Sequence, residues 1–341
     1  MDNTVCGRRA PAAPRRPARA TTGKEELPLK ICVLGAGSLG SAIGAALAEA
    51  GSTVWLVNRN RAHVDAINDR GLRVRTDDGE RTVRVGAAVD CAGLAPVDLV
   101  IVLVKSFDTR KAIEAAGPVI GRDTVVMSLQ NGLGHEEVLG EVVGRQRLLA
   151  GRTYVGGQIL APGIVLAGTR GKQTIIGELD GRITDRARAI VAEFERAGLA
   201  TTLSENIMGT IWDKLLVNVA TGALSGITRL PYGRLYAVPE VEAAAIAAVT
   251  EAMAVARAGG IALSYTEPRE PWLRAGKGLP FDFKASILQS LEKGSVPEID
   301  CINGAVVREG RRLGVPTPVN DTLVACIRGI EHGLATVPAS R

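Results

Sequence analysis

The chain has 341 residues, with 41 Lys and Arg against 36 Asp and Glu, a formal charge of +5, and 46% hydrophobic but only 3% aromatic residues. That length allows two domains around a mainly aliphatic core. No apolar run reaches the ~18 residues a membrane span needs. The five cysteines, Cys6, Cys32, Cys91, Cys301 and Cys326, are scattered without a C-x-x-C pair. This argues against a zinc site or a disulfide framework and fits a reducing, cytoplasmic setting. Cys32 and Cys301 sit among apolar neighbours and read as inert core thiols.

Arg8, Arg9, Arg15, Arg16 and Arg19 are interleaved with Pro and Ala near the start. The segment lacks the hydrophobic stretch of a signal peptide and cannot bury enough apolar surface to fold. It reads as a disordered, solvated tail over 1–28. No aromatic residues are interleaved to stack on bases, so no nucleic-acid partner is expected.

Folding is expected from Leu29. The run Ile31-Cys32-Val33-Leu34 ends in Gly35-Ala36-Gly37-Ser38-Leu39-Gly40 and passes into a small-residue helical pattern, Ser41 to Ala50. Strand, Gly-x-Gly-x-x-Gly, then helix is the context of a dinucleotide fingerprint. Gly35 would allow the tight turn, Gly37 the approach of a pyrophosphate, and Gly40 close helix–strand packing. The helix start at Ser38 and Leu39 would offer free N–H groups. A glycine-rich turn of no function has the same letters. The next strand, Thr53 to Val57, is followed by Asn58-Arg59 rather than by an acidic residue. An acid there takes the ribose 2′-hydroxyl of NAD; donors and positive charge suit the 2′-phosphate of NADP.

A helix is expected over Arg61 to Asp69, then a hairpin pairing Leu72–Thr76 with Arg81–Val85 around Asp78-Gly79. Leu99 to Val104 and Thr124 to Leu129 read as strands buried on both faces. Lys105 and Gln130-Asn131-Gly132 follow them. Both clusters therefore fall at the carboxyl edge of a parallel sheet, where ligands bind. His135 lies close by and reads as a surface residue. Gly151 to Leu179 suggests short strands closing the first domain. A helix over Ile183 to Ala197 and a strand over Ala200 to Leu203 complete it. From Glu205 the pattern is helical.

The expected fold is thus α/β: a Rossmann-type dinucleotide-binding domain over 29–204, then an all-α substrate and catalytic domain over 205–335. The substrate would lie between them, with hinge closure excluding water. A largely apolar helical domain is compatible with a homodimer.

The helix expected over Ile207 to Val219 is apolar nearly all round, yet Lys214 and Asn218 share a stripe with Ile207 and Ile211. A buried lysine is costly unless paired or used; the alternative is one that snorkels to the surface. Pro297 suits a first helical turn, which would put Glu298 on a face with Ile302 and Ala305. There Glu298 could complement the helix dipole or partner Lys214. Hydride transfer to a carbonyl carbon leaves charge on oxygen, and a lysine ammonium can neutralise and protonate it. With three histidines, His63, His135 and His332, a histidine-centred mechanism has few candidates. No metal-ligand cluster appears.

Gly35-x-Gly37-x-x-Gly40, Arg59, Lys105, Gln130-Asn131-Gly132, Trp212-x-Lys214-x-x-x-Asn218 and Glu298-Ile299-Asp300-x-Ile302-Asn303-Gly304, in that order, resemble the ketopantoate reductase (2-dehydropantoate 2-reductase) family. The likeness runs from about Leu29 to Ile330, and Leu313 to Pro318 looks like the family's closing segment. It implies NADPH-dependent reduction of a 2-oxo acid to a D-type 2-hydroxy acid, most directly ketopantoate to pantoate in pantothenate biosynthesis. It implies that Lys214 is the catalytic acid and that Glu298 meets the substrate hydroxyl region. Asn131, Asn218 and Ser286 would hold substrate or cofactor, and Arg59 and Lys105 the NADPH phosphates. The family's best-known members carry further asparagines where this chain has Gly222 and Tyr232. Losing those amides points to a bulkier or less polar acid, with Tyr232 lining its site. The competing readings are a D-2-hydroxy-acid dehydrogenase for a branched or aromatic acid and a non-catalytic NADPH sensor.

Overall fold

In the computed structural model, residues 28–336 are described. All but the last residue of the expected tail lies outside that range.

The central strand β1 (Lys30–Leu34) is walled in on both sides: Ile31, Cys32 and Val33 have no exposed surface. It pairs in parallel with β2 (Thr53–Val57) and β6 (Val97–Val102). The helix α1 (Ser38–Glu49) crosses between β1 and β2, and α2 (Arg61–Arg70) follows β2. Small residues let α1 lie close to the sheet. A Cβ on Gly44 would stand 2.5 Å from a Leu56 methyl. β3 (Leu72–Thr76) and β4 (Gly79–Val83) form a hairpin, but its turn is Asp77-Asp78, one residue before the expected Asp78-Gly79, and Gly79 already pairs with Thr76. β5 (Gly86–Ala88) then joins β2 at the sheet edge.

After β6 come α3 (Thr109–Ala115), β7 (Ile120–Ser128), α4 (His135–Val143) and β8 (Leu148–Thr153). β9 (Gly156–Ala161), β10 (Ile164–Gly168), β11 (Thr174–Gly177), α5 (Asp185–Arg196) and β12 (Thr201–Leu203) complete this half. The main sheet has the order β12-β11-β8-β7-β6-β1-β2-β5, parallel except where β11 meets β8. The closing strands do not all join it. β9 and β10 leave to pair with the hairpin, as β4-β3-β10-β9. The burial pattern explains the split. β3 and β10 bury alternate residues, such as Leu72, Val74, Val165 and Ala167. One-faced strands suit a cover over α1, not a sheet enclosed on both sides.

The second half is helical: α6 (Ile207–Thr228), α7 (Tyr232–Leu235), α8 (Pro239–Ala258), α9 (Arg269–Gly276), α10 (Ser286–Glu292), α11 (Asn303–Leu313) and α12 (Pro318–Thr336). α6 continues nine residues past the expected Val219. Its second half packs against α10, and a Cβ on Gly226 would lie 2.8 Å from Ile287. Bare backbone at that position gives α10 its seat. The buried Asn320 joins α8, α11 and α12: it accepts from Asn303 Nδ2 at 3.0 Å and donates to Glu251 at 2.7 Å. The Glu251 carboxylate also accepts the Val319 and Asn320 N–H groups, capping α12.

Candidate active site

The strand order reverses its direction of growth at β1, between β2 and β6. The crevice at this switch point is where open α/β sheets bind ligands. A cavity of about 650 Å³ lies there, lined by the ends of β1, β2, β6 and β7.

Gly35 opens the turn with φ +92°, a conformation that favours glycine. Any Cβ at Gly35 would strike the Val104 backbone, and one at Gly40 would stand 2.5 Å from the Gly35 carbonyl. Gly37 differs. A Cβ there would meet nothing within 4 Å, because Gly37 faces the cavity. Gly37 is also the N-cap of α1 and supplies no side-chain cap, so the first-turn N–H groups, at Ser38 and Leu39, are left for a ligand. A glycine bordering open space at an uncapped helix start fits a pyrophosphate. Ser38 Oγ accepts from Ile159 N–H at 3.2 Å and so ties α1 to the small sheet.

Asn58 and Arg59 line the same cavity beyond β2. Their side chains are already engaged. Asn58 Nδ2 donates to the Ala36 carbonyl at 2.6 Å, bracing the glycine turn. Arg59 pairs with Asp108 at 2.5 Å, with its own side chain 75% exposed. Asp90, Asp108 and Lys111, which the sequence reading passed over, complete this end.

At the β6 end, Lys105 Nζ donates to Glu298 Oε2 at 3.0 Å, and the Ser106 N–H donates to Glu298 Oε1 at 2.9 Å. This corrects two expectations. Glu298 does not partner Lys214, and it does not share a helical face with Ile302 and Ala305. A 3₁₀ turn over Ile299–Cys301 intervenes, and α11 begins only at Asn303, after a break at Ile302 (φ −107°, ψ −99°). The freed carboxylate turns instead to the β6 loop.

Asn131 lies at the β7 end. Its loop is stitched to the helical half: the Leu133 N–H donates to the Cys301 carbonyl at 2.9 Å. Gly132 (φ +94°) lies so close to Cys301 that any Cβ would overlap that carbonyl. Cys301 is therefore half-buried at a junction, whereas Cys32 is fully buried as expected. His135 is not on the surface. It is 2% exposed, and its Nε2 lies 2.9 Å from the Asn131 carbonyl. Burial lowers its pKa and favours the neutral ring. Gln130 Nε2 donates to the Val104 carbonyl and to Thr109 Oγ1, at 2.9 and 2.8 Å, and so clamps the β7 end to the β6 end.

Lys214, on α6, reaches the end of the next strand along. Its Nζ donates to the Thr153 carbonyl at the end of β8, at 2.6 Å, and lies 5.4 Å from the centre of the Tyr154 ring. Burial, with nearby Arg152 adding to it, pushes the lysine pKa down to about 7. Asn218 follows one turn later, half-buried, with no side-chain hydrogen bond among the described residues. Ser286 is exposed at the start of α10. Its neighbour Ile287 would lie 3.2 Å from a Cβ at Gly222, one turn beyond Asn218. That brings the start of α10 near the Lys214–Asn218 face.

Tyr232 does not line the cavity at the sheet edge. It is 8% exposed, its hydroxyl shares a 2.9 Å hydrogen bond with Thr221, and its ring meets Phe283 edge to face at 5.1 Å. Burial raises its pKa. Sequence reasoning also missed Arg152 and Tyr154, because nothing in that segment marks where β8 ends.

The described residues thus place Gly37, Lys105 with Glu298, Asn131 and Lys214 at the ends of β1, β6, β7 and β8, four neighbouring strands of one edge. The model of the ketopantoate reductase PanE/ApbA family matches residues 31–181, and its C-terminal model matches 206–331. The chain belongs to the ketopantoate reductase family. It is an oxidoreductase built on that family's two-part fold. A 2-dehydropantoate 2-reductase of Halobacterium salinarum is 34% identical over 305 residues, covering 88% of this chain and 98% of that protein. One of Pyrococcus horikoshii is 33% identical, covering 89% and 98%. The crystal structure of a PanE/ApbA family ketopantoate reductase from Ralstonia eutropha JMP134 superposes with a TM-score of 0.83 at 36% identity, covering 90% of this chain and all of that one. The ternary structure of a D-mandelate dehydrogenase with NADH and anilino(oxo)acetate superposes with a TM-score of 0.82 at 26% identity, with the same coverage. These neighbours support a nicotinamide dinucleotide as the cofactor class. Among the described residues no helix is long and apolar enough to cross a membrane, and no cluster of His, Cys, Asp or Glu is arranged to hold a metal ion.

Proposed function

We propose that this reductase uses NADPH to reduce a 2-oxo acid to the 2-hydroxy acid, with 2-dehydropantoate as the first candidate and pantothenate synthesis as the setting. The observation that carries the reading is the edge itself: a cavity built for a dinucleotide ends at Asn131, and Lys214 stands at the next strand end.

When bound, the cofactor supplies the hydride. This chain's residues do the rest. The first turn of α1 and the open face of Gly37 hold the pyrophosphate. Arg59, with Asn58 and Lys111 nearby, supplies the charge for a 2′-phosphate. Asn131, held by His135, borders the reacting end. Lys214 gives its proton to the carbonyl oxygen as negative charge develops there, and a pKa near 7 suits a donor at neutral pH. Asn218 and Ser286 offer hydrogen bonds to the acid. Glu298 offers an acceptor to a substrate hydroxyl.

A second reading has its own observation. Gly222 faces Ile287, and Tyr232 is consumed by Thr221, so neither position offers an amide. That favours a bulkier, less polar acid, as does the likeness to the D-mandelate dehydrogenase.

The test is NADPH and NADH oxidation with 2-dehydropantoate, 2-oxoisovalerate and phenylglyoxylate in parallel. Selective turnover of 2-dehydropantoate supports the first reading, and a better rate on phenylglyoxylate the second. Undiminished turnover by Lys214→Ala would refute the assigned proton donor.

A further inference from the structure

The end of β8 carries a second cation beside Lys214. Arg152 Nη1 donates to the Thr210 carbonyl of α6 at 2.7 Å. Thr210 lies one turn before Lys214, so the guanidinium rests against the same helix face. Its central carbon stands 4.8 Å from the centre of the Tyr154 ring, and Lys214 Nζ stands 5.4 Å from that same centre. Between the two, the Thr153 carbonyl accepts from Lys214 Nζ. Three consecutive residues thus hold one ammonium and place a like charge beside it.

This arrangement is costly. Arg152 makes no ion pair among the described residues, and its Nε is buried without a hydrogen-bond partner. A half-buried cation without a counter-ion is unfavourable, and a second cation on the same ring adds to the cost. Packing alone would be served by an apolar residue. The other ionisable groups of this corner are Tyr265, Asp213 on α6 and Arg274 on α9. Asp213 makes no ion pair with either cation among the described residues; its carboxylate accepts the Ser264 N–H at 3.0 Å.

We propose that Arg152 is a positioning residue for the reaction: with Thr210 and Tyr154 it seats Lys214, and by like-charge repulsion it readies the lysine proton for transfer. This rests on Lys214 being the proton donor. In the step served, the cofactor, when bound, would supply the hydride that makes the new C–H bond at the carbonyl carbon. The carbonyl electron pair moves to oxygen, and the Lys214 proton joins it. Lys214 is left neutral and regains a proton from solvent.

The test is the pH profile of kcat for the full chain, with NADPH and the fastest of the three acids, in wild type, Arg152→Gln and Arg152→Lys. A donor must be protonated, so kcat falls above its pKa. Removing the like charge in Arg152→Gln should move that falling limb up by about one pH unit, a tenfold change in the protonation equilibrium. Arg152→Lys keeps the charge and should leave the limb near its wild-type place. Thermal unfolding and NADPH titration check that the variants fold. If the Gln variant does not fold, Arg152→Met, which keeps the stem packing, should show the same upward shift. A uniform loss of kcat with the limb unmoved would make Arg152 merely structural and overturn the inference. An active Lys214→Ala would instead overturn the reading beneath it.

Discussion

Replacing Lys214 by Met should abolish turnover and stabilise the fold in the same molecule. The lysine pKa falls from its usual 10.5 to about 7. Below pH 7 the side chain is charged in both folded and unfolded chains, and only the folded chain bears the cost of enclosing that charge. The 3.5-unit difference corresponds to about 5 kcal/mol. Lys214 is only partly buried, and solvent screening reduces the cost to about 2–3 kcal/mol. Above pH 7 the folded lysine becomes neutral first, so the cost shrinks and disappears near pH 10.5. Met keeps the aliphatic stem and removes the charge. Urea unfolding at pH 6 should therefore show a gain of about 2–3 kcal/mol for Lys214→Met, and at pH 9.5 a gain of about 1.3 kcal/mol. NADPH oxidation should be lost at both. A variant no more stable at pH 6, or equally stabilised at both pH values, would refute the claim that the fold strains to hold this ammonium.

Gly37→Val should weaken NADPH at least tenfold by fluorescence titration while shifting the melting temperature by no more than about 2–4 °C, since the new side chain enters open cavity. Large unfolding would show that Gly37 serves packing instead. Asp108→Ala releases Arg59 from its ion pair and should tighten NADPH about two- to fivefold while leaving NADH unchanged; equal effects on both cofactors would remove Arg59 from the 2′-phosphate site. Glu136 is buried at the start of α4, its Oε2 has no hydrogen-bond partner among the described residues, and burial raises its pKa from 4.5 to about 7. The folded chain therefore holds the proton longer than the unfolded one, and stability falls as pH rises through this window. Glu136→Gln should be neutral near pH 4.5 and stabilising by about 3 kcal/mol above pH 7. A gain that does not vary with pH would contradict the assigned cause.

Much of the fold was legible because it rests on local pattern. Runs such as Ile31–Leu34 and Leu99–Val102 are apolar without alternation, and only a doubly covered parallel strand needs that. The glycine turn announced the switch point. The four-stranded cover was not legible, because Ile164–Gly168 reads as a strand wherever it pairs; its partner, β3, lies about ninety residues away. Lys214 stood out because a charge on an apolar helix demands a reason. Glu298 was misplaced because Pro297 and the acid beside it imitate a helix start, while the break at Ile302 is imposed by the loop packed against Gly132. His135 looked like a surface residue because the carbonyl that holds it belongs to a loop whose course the sequence does not state. Arg152 could not be found at all: a lone arginine after Leu148-Leu149-Ala150-Gly151 gains meaning only once α6 lies across it.

The ion pairs at the mouth of the cavity bear on how an anionic ligand would enter. Arg59 and Lys105 are the cations assigned to phosphates, and each already holds a carboxylate, Asp108 and Glu298. Such pairs spare the empty cleft an uncompensated positive field and hold the long side chains near their working positions. A phosphate that takes the guanidinium from Asp108 exchanges one charge-assisted bond for another. The net gain in affinity is therefore modest, and the exchange acts mainly on selectivity. A ligand with no 2′-phosphate leaves the Arg59–Asp108 pair closed. The Glu298 exchange differs, because Glu298 comes from the helical half and Lys105 from the sheet. Breaking that pair frees Glu298 Oε2 to receive a substrate hydroxyl, while Oε1 still accepts the Ser106 N–H at 2.9 Å. On the proposed assignments, the 3.0 Å Lys105–Glu298 contact would then link occupation of the cofactor end to readiness of the substrate end. Substitution of Lys105 should accordingly alter the KM for the acid as well as for the cofactor, and an effect confined to the cofactor would separate the two ends.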